Sequence, residues 1–171
     1  GFVIVYLISI FAAVSVRAAI GEWLKYCMYF AVFFMLSELV NLYKHKLIVM
    51  WTIVASAVGV ALLGIDGAAG GNIANVLNGF FKSFGAESDV FFGLFVWNRI
   101  YSTIQYPNAL AAYMMAVFFV SLGLAVVSSR LWAKAVAGAS GFILLITFIF
   151  TFSRGAYIIF PIVSLIFFAA S

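Results

Sequence analysis

The chain has 171 residues, of which 67% are hydrophobic and 8% are charged, with a formal net charge of +4 and a mean hydropathy of +1.24. Soluble domains carry about 25% charged residues, so this composition excludes an ordinary water-exposed surface. The apolar stretches between the few charges can cross a hydrocarbon core of about 30 Å. The composition therefore predicts an all-α, polytopic transmembrane helical bundle.

The apolar residues cluster into six candidate spans. The run from 135 to 170 would be about 54 Å long as a single helix, so it must turn near its only polar break at 151–155. Both ends of the chain lie inside apolar runs. We therefore interpret residues 1–171 as one transmembrane helical region of a larger membrane protein, with both terminal spans truncated. The predicted spans are 1–16, 24–40, 47–65, 108–127, 135–152 and 156–170.

The distribution of basic residues predicts how the spans are oriented. The short connections 41–46 and 128–134 contain Lys or Arg and no acidic residue. Basic connections of this kind usually face the cytoplasm. This orientation places the stretch 17–23, the long segment 66–107 and the junction near 153–155 on the outer side.

The outer segment 66–107 contains two different patterns. Residues 72–84 carry apolar side chains at helical spacing with Asn and Lys opposite, which predicts an amphipathic helix at the membrane interface. The following aromatic and β-branched stretch is compatible with an extended or a re-entrant conformation. It ends at Pro107, after which we expect Asn108 to cap the next helix.

Two arginines stand near predicted helix starts on the outer side. Arg99 precedes the helix at 108, and Arg154 follows Ser153, a candidate N-cap of the last span. Free N–H groups at helix starts and planar guanidinium groups both favour binding of a multiply charged anion. The alternative is that each arginine reaches to lipid headgroups. Arg17, on the first outer stretch, could join the same site or form an interfacial ion pair with Glu22.

Other site chemistries have no support in the sequence. The single cysteine, Cys27, excludes a disulfide or thiolate metal site within this chain. Neither metal-ligand spacing nor a nucleotide-binding glycine loop is present, so we expect no metal and no cofactor. The basic residues are scattered singly, which favours the lipid bilayer over nucleic acid as a partner.

Two motifs resemble the O-antigen ligase and polymerase superfamily of membrane glycan transferases. They are RIYSTIQYPNALAAYM at 99–114 and TFSRGAY at 151–157. The resemblance covers the second half of the chain. It implies a multi-pass enzyme of the bacterial cytoplasmic membrane, active in cell-envelope polysaccharide biosynthesis. Such proteins transfer a glycan from an undecaprenyl-diphosphate carrier to an acceptor at the outer face.

The resemblance also implies which residues bind the substrate. By motif, Arg99 and Arg154 would bind the carrier diphosphate, with Asn108, Ser153 and Gly155 beside them. Arginines there would stabilise the negative charge that grows on the diphosphate as the sugar leaves. The acceptor, and the choice between ligase and polymerase, stay open.

One departure from the family pattern concerns the catalytic base. Family members carry a large outer loop with a functional histidine after the Ser-Arg-Gly junction, and this chain ends before such a loop. We therefore expect the whole protein to be a metal-independent glycosyltransferase or ligase, whereas residues 1–171 alone bind the lipid diphosphate without transfer. The alternative is a transporter or flippase of lipid-linked sugars, in which the same arginines bind without chemistry.

The orientation can be tested by cysteine labelling. Because segment 66–107 is expected outside, a single cysteine introduced as Ser83→Cys, after replacement of Cys27, should react with an impermeant thiol reagent on intact cells. The protein without cysteine is the control. Labelling that occurs only after the membrane is opened would reverse the orientation.

Overall fold

The computed structural model describes residues 5, 7, 15–39, 43–104 and 106–170. The chain divides into two compact units, Gly1–Val49 and Met50–Ser171. Most of the first predicted span, 1–16, lies outside the described residues. The proposed anion site falls within the second unit, so the fold of that unit is what positions it.

Six α-helices account for most of the described residues. They are α1 Val16–Leu39, α2 Tyr43–Ala68, α3 Asn72–Ser83, α4 Pro107–Val127, α5 Leu131–Phe150 and α6 Arg154–Ala170. Two short strands, β1 Phe95–Val96 and β2 Arg99–Ile100, and a 3-10 turn, Ser102–Ile104, lie between α3 and α4.

Three of these helices are long and apolar enough to cross a membrane. They are α2 from His45 onward, α4 and α5, whereas α6 is apolar but shorter. The predicted helical membrane architecture is confirmed to this extent, and the number of six spans remains a prediction. The predicted turn between the last two spans is present, because the chain leaves α5 at Thr151 and enters α6 at Arg154.

The outer turn predicted at 17–23 is wrong, because this stretch forms the first turns of α1. Ala18 and Ala19 are strong helix formers and no proline interrupts the stretch. Glu22 accepts a hydrogen bond from Lys25 at 2.6 Å across one helical turn. Glu22 is therefore paired with Lys25 on the same helix face, and not with Arg17 as predicted.

The aromatic stretch whose conformation the sequence left open forms a β-hairpin. Phe95 pairs with Ile100 and Val96 with Arg99, so the turn contains two residues, Trp97 and Asn98. Both turn residues have positive φ, 48° and 61°, as the tightest hairpin turns require. The hairpin thus fixes the position of Arg99, which is the first residue after the turn and pairs with Val96.

Two glycines of α2 allow the hairpin to pack closely against that helix. A Cβ on Gly64 would lie 2.5 Å from Ile100 Cγ2, and one on Gly67 would lie 2.6 Å from Leu94 Cβ. The Ser102 hydroxyl donates a hydrogen bond to the Val60 carbonyl of α2 at 2.6 Å. Because Leu94 and Ile100 are buried, this contact forms a small core that fixes the hairpin.

The predicted amphipathic helix is confirmed as α3, but one polar residue points inward. The Asn78 side chain is buried and makes two hydrogen bonds with the Phe91 backbone, donating to its carbonyl at 2.9 Å and accepting from its N–H at 2.8 Å. Asp66 accepts the N–H groups of Ile73 and Ala74 and so caps the helix start. The apolar face is exposed, with Ile73, Val76, Phe80 and Phe84 along it.

Helices α4 and α5 form the most closely packed pair of the second unit. The Ser121 hydroxyl of α4 donates to the Ala137 carbonyl of α5 at 2.6 Å. Ala137 and Gly141 are both buried, and a Cβ on Gly141 would lie 3.3 Å from the Ser121 oxygen. Small residues at this seam let the two backbones approach, as in membrane helix pairs.

Helix α6 packs back on this pair through aromatic rings. The Phe160 ring lies 5.1 Å from that of Phe148 on α5 and 5.8 Å from that of Phe119 on α4. The Tyr157 hydroxyl donates to the Ile149 carbonyl near the end of α5. These contacts hold the start of α6 beside the end of α5.

The packing of the hairpin on α2 can be tested with Gly67→Ala. The new methyl group would meet Leu94, whose backbone carbonyl carbon is 3.3 Å away, so the hairpin must shift. Overpacking costs about 1–3 kcal/mol, which outweighs the gain of up to about 1 kcal/mol from helix propensity. We expect a lower Tm in detergent.

The matched control is Gly59→Ala on the same helix, where a Cβ meets nothing within 4 Å. This variant should keep or raise the Tm. Equal changes in both variants would show that the hairpin does not depend on the glycine.

Candidate functional site

The site begins at the carboxyl end of α5, where helix carbonyls have no partner within the helix. Arg99 of β2 donates from Nε to the Thr151 carbonyl at 2.7 Å and from Nη2 to the Phe152 carbonyl at 3.3 Å. A cation at a helix carboxyl end also interacts favourably with the helix dipole. The guanidinium therefore caps α5 from an element 52 residues earlier in the chain.

Arg99 also contacts the start of α4. Its Nη2 lies 3.4 Å from Asn108 Oδ1, a long hydrogen bond in which the amide oxygen accepts. The prediction that Asn108 caps α4 is wrong: the helix begins at Pro107, and Tyr106 is its N-cap residue without a side-chain hydrogen bond. Proline favours the first helical position because its missing N–H needs no partner there. Asn108 is thereby placed inside the first turn, facing Arg99.

Arg154 is the first residue of α6, as the predicted N-cap position of Ser153 requires. Ser153 is 3% exposed, and its carbonyl accepts the Tyr157 N–H as the first bond of the helix. The Arg154 side chain is exposed and has no hydrogen bond or ion pair to any residue that the structure describes. A cation at the positive end of a helix is electrostatically unfavourable, and a bound anion would relieve this repulsion.

The two arginines line one open cavity of about 460 Å³. No acidic side chain lines it, so two positive charges face a shared space without neutralisation. Aromatic rings supply most of the remaining wall. The lining residues are Trp97, Asn98, Arg99, Phe152, Arg154 and Tyr157.

Backbone strain is concentrated around Arg99. Four residues other than glycine have positive φ within the described part of the chain: Trp97, Asn98, Ser102 and Phe152. Three lie within three residues of Arg99, and the fourth provides a carbonyl that accepts its hydrogen bond. Such conformations cost about 1–3 kcal/mol each and cluster at functional sites. Three of the four, Trp97, Asn98 and Phe152, line the cavity.

Of the other predicted site residues, Gly155 is the most informative. It is exposed, its φ is not positive, and a Cβ there would meet nothing within 4 Å. The fold therefore has no need for glycine at this position, beside Arg154. Arg17, in contrast, is exposed in the first turn of α1 in the first unit, and its part in the site stays a prediction.

Sequence reasoning missed three aromatic residues of the cavity wall. Tyr157 follows Arg154 by three residues, a spacing that places both on one helix face and that the sequence could have revealed. Trp97 is absent from the predicted site, because its place beside Arg99 depends on the hairpin. Phe152 enters the cavity because its positive φ, 49°, turns the chain sharply between α5 and α6.

Most carboxylates of the segments predicted to lie outside have structural partners of their own. Asp66 caps α3, and Asp89 forms an ion pair with Lys82 at 2.7 Å. Glu22 pairs with Lys25, and Glu87 is exposed. Within the described ranges, no group of three or more His, Cys, Asp or Glu residues is placed to hold a metal ion.

Comparison with known proteins adds no relative: the chain matches no protein-family model, no curated protein and no solved structure. The geometry of the second unit is therefore the basis for a functional proposal.

The two arginines should differ in their effect on folding. Arg99→Ala removes the partner of two helix-end carbonyls, and hydrogen bonds to charged groups contribute about 1.5–3 kcal/mol. Because Arg99 is partly exposed, we expect a loss of about 1–2 kcal/mol of stability and a lower Tm in detergent.

Arg154→Ala is the control, because that side chain has no partner among the described residues and should change stability by less than about 0.5 kcal/mol. An Arg99→Ala protein as stable as the wild type would show that the hydrogen bonds to Thr151 and Phe152 do not hold the junction.

Proposed function

We propose that the site binds the diphosphate of an undecaprenyl-linked glycan. In the whole protein, the glycan is then transferred to an acceptor at the outer face of the bacterial cytoplasmic membrane. The observation that supports this most directly is the cavity shared by Arg99 and Arg154, which no acidic residue lines. A diphosphate carries several negative charges and planar oxygen pairs, which match two guanidinium groups.

The chemistry of transfer suits this arrangement. When the glycosidic bond to the carrier breaks, negative charge grows on the departing diphosphate. Positive groups that are already in place lower the energy of that state without reorganising. Arg99, fixed by Thr151 and Phe152, is held in place before any ligand binds. Arg154 is available for the ligand alone.

A second cavity supports a lipid-linked ligand. An apolar groove of about 600 Å³ runs along α6 and shares Tyr157 with the arginine cavity. An amphiphile could place its anionic group between the arginines and its hydrocarbon chain along this groove. The groove is lined by Phe148, Tyr157, Phe160, Pro161, Ser164, Leu165 and Phe168.

The uninterrupted helices favour transfer over transport. Transporters commonly bind their substrate at helices that are broken near the bilayer midplane. Helices α2, α4 and α5 run without interruption, α6 stays helical through Pro161, and the arginine cavity lies at helix ends. A flippase that binds the same lipid diphosphate without chemistry is the alternative that the test below separates.

Glycan transfer by the full-length protein should depend on the free arginine. Arg154→Lys keeps the charge and loses the planar fork, and we expect transfer to fall by about 100-fold, as when one charge-stabilising donor is removed. Gly155→Ala, beside Arg154, adds a methyl group that meets no protein atom, so any loss of transfer at unchanged Tm would show that the ligand reaches this position.

Two variants serve as matched controls at equal expression. Arg130→Lys alters an exposed arginine at the start of α5, and Gly138→Ala adds a methyl group in open space on α5. Both should transfer normally. If Arg154→Lys also transfers normally, the diphosphate is bound elsewhere. Movement of an intact lipid-linked sugar across vesicles, without glycan product, would instead identify a flippase.

A further inference from the structure

The side chain of Trp97 has an arrangement that the fold does not explain. It is 85% exposed and sits at φ 48° in the hairpin turn. Positive φ is unfavourable for a bulky side chain, and glycine, asparagine or aspartate normally occupies such turns. The ring makes no hydrogen bond and no ring contact with any described residue.

The other three residues with positive φ each have a structural reason. Asn98 is a residue type that such turns prefer. The Ser102 side chain is fully buried and bonded to the Val60 carbonyl. Phe152 provides the sharp exit from α5, where a left-handed residue is common. Of these four residues, Trp97 alone combines an unfavourable backbone conformation with a side chain that makes no hydrogen bond and no ring contact with the described residues.

The cavity supplies a use for this side chain. Trp97 lines the same space as Arg99 and Arg154, and the pairing of Val96 with Arg99 places Trp97 in the turn two residues before Arg99. An indole offers a flat apolar face and an N–H donor at its edge. A pyranose ring has the matching features, because its C–H groups form an apolar face and its hydroxyl groups lie at the rim.

We propose that Trp97 is the platform on which the sugar next to the anionic group stacks. The inference rests on the proposed function and deepens it, because it assigns recognition of the first sugar to Trp97 and recognition of the diphosphate to the arginines. Trp97 then determines specificity: it favours a pyranose with a continuous C–H face and contributes little to binding of the carrier alone.

The test compares two probes: a short polyprenyl diphosphate, and the same molecule bearing one hexopyranose. Their Kd values are measured for the full-length protein in detergent. Trp97→Gly should weaken binding of the sugar-bearing probe by about three- to tenfold, the usual size of an aromatic contact. Binding of the bare diphosphate should change by less than twofold.

Stability measurements separate this effect from misfolding. Glycine tolerates positive φ, so Trp97→Gly should keep or raise the Tm. Trp97→Phe keeps a ring and should retain part of the sugar preference. Trp132→Phe, which alters another exposed tryptophan, on α5, should bind both probes as the wild type does.

The outcomes separate this inference from the proposed function. Equal weakening of both probes, or no weakening of either, would overturn the platform; the former would indicate a general role such as membrane anchoring. If Arg154→Lys leaves binding of the bare diphosphate unchanged, the diphosphate site itself is wrong. If Arg154→Lys weakens binding of the bare diphosphate and Trp97→Gly changes the Kd of neither probe, the diphosphate site stands and only the role of Trp97 is wrong.

Discussion

The hydrogen bonds from Arg99 to the Thr151 and Phe152 carbonyls join parts of the chain that are distant in sequence. They connect the hairpin to the end of α5, and the contact with Asn108 extends this connection to the start of α4. Unpaired carbonyls at a helix end are costly in a poorly hydrated environment. The Arg99 guanidinium satisfies the C-cap carbonyl of Thr151 and the carbonyl that follows it, that of Phe152, beside the cavity.

The two arginines consequently have different roles. Arg99 is committed to the protein through Nε and Nη2, and its charge is fixed at the cavity wall. Arg154 stands at the positive end of α6 with its guanidinium unused by the described residues. A ligand anion would meet one positive group that is already ordered and one that can adapt. The fixed group lowers the entropy lost on binding, and the adaptable group accommodates ligands of different size.

The sequence predicted the features that depend on short-range patterns or on the length of an apolar segment relative to the thickness of the bilayer. Apolar length revealed α2, α4 and α5, and the polar break at 151–155 located the turn before α6. The hairpin could not be predicted, because its strands contain two residues each and its position depends on contact with Gly64 and Gly67 of α2. These glycines are distant in sequence from the strands that they accommodate.

The errors at Asn108 and at 17–23 have a related cause. Near Pro107 two local rules competed, and the preference of proline for the first helical position placed Asn108 two residues beyond the cap position. The stretch 17–23 was placed between two spans, although the pair Glu22–Lys25, three residues apart, stabilises a helix there. The two motifs led us to expect Arg99 and Arg154 at one site, whereas the hairpin register and the exit from α5 that bring them to one cavity needed tertiary structure.

Helix α3 indicates the surroundings in which this cavity operates. Its polar residue Asn78 is fixed to the Phe91 backbone, while Ile73, Val76, Phe80 and Phe84 face outward. A stripe of this kind on a short helix is typical of helices that lie at the level of lipid headgroups. The loop that Asn78 anchors continues into the hairpin that carries Trp97 and Arg99, so immersion of α3 in the interface would hold the hairpin near headgroup depth.

A lipid-linked diphosphate has its charges at that depth, with its hydrocarbon chain below and its glycan above. The arginine cavity presents two guanidinium groups and an exposed indole, and the adjoining groove is apolar, so the proposed ligand would find one surface for each of its three parts.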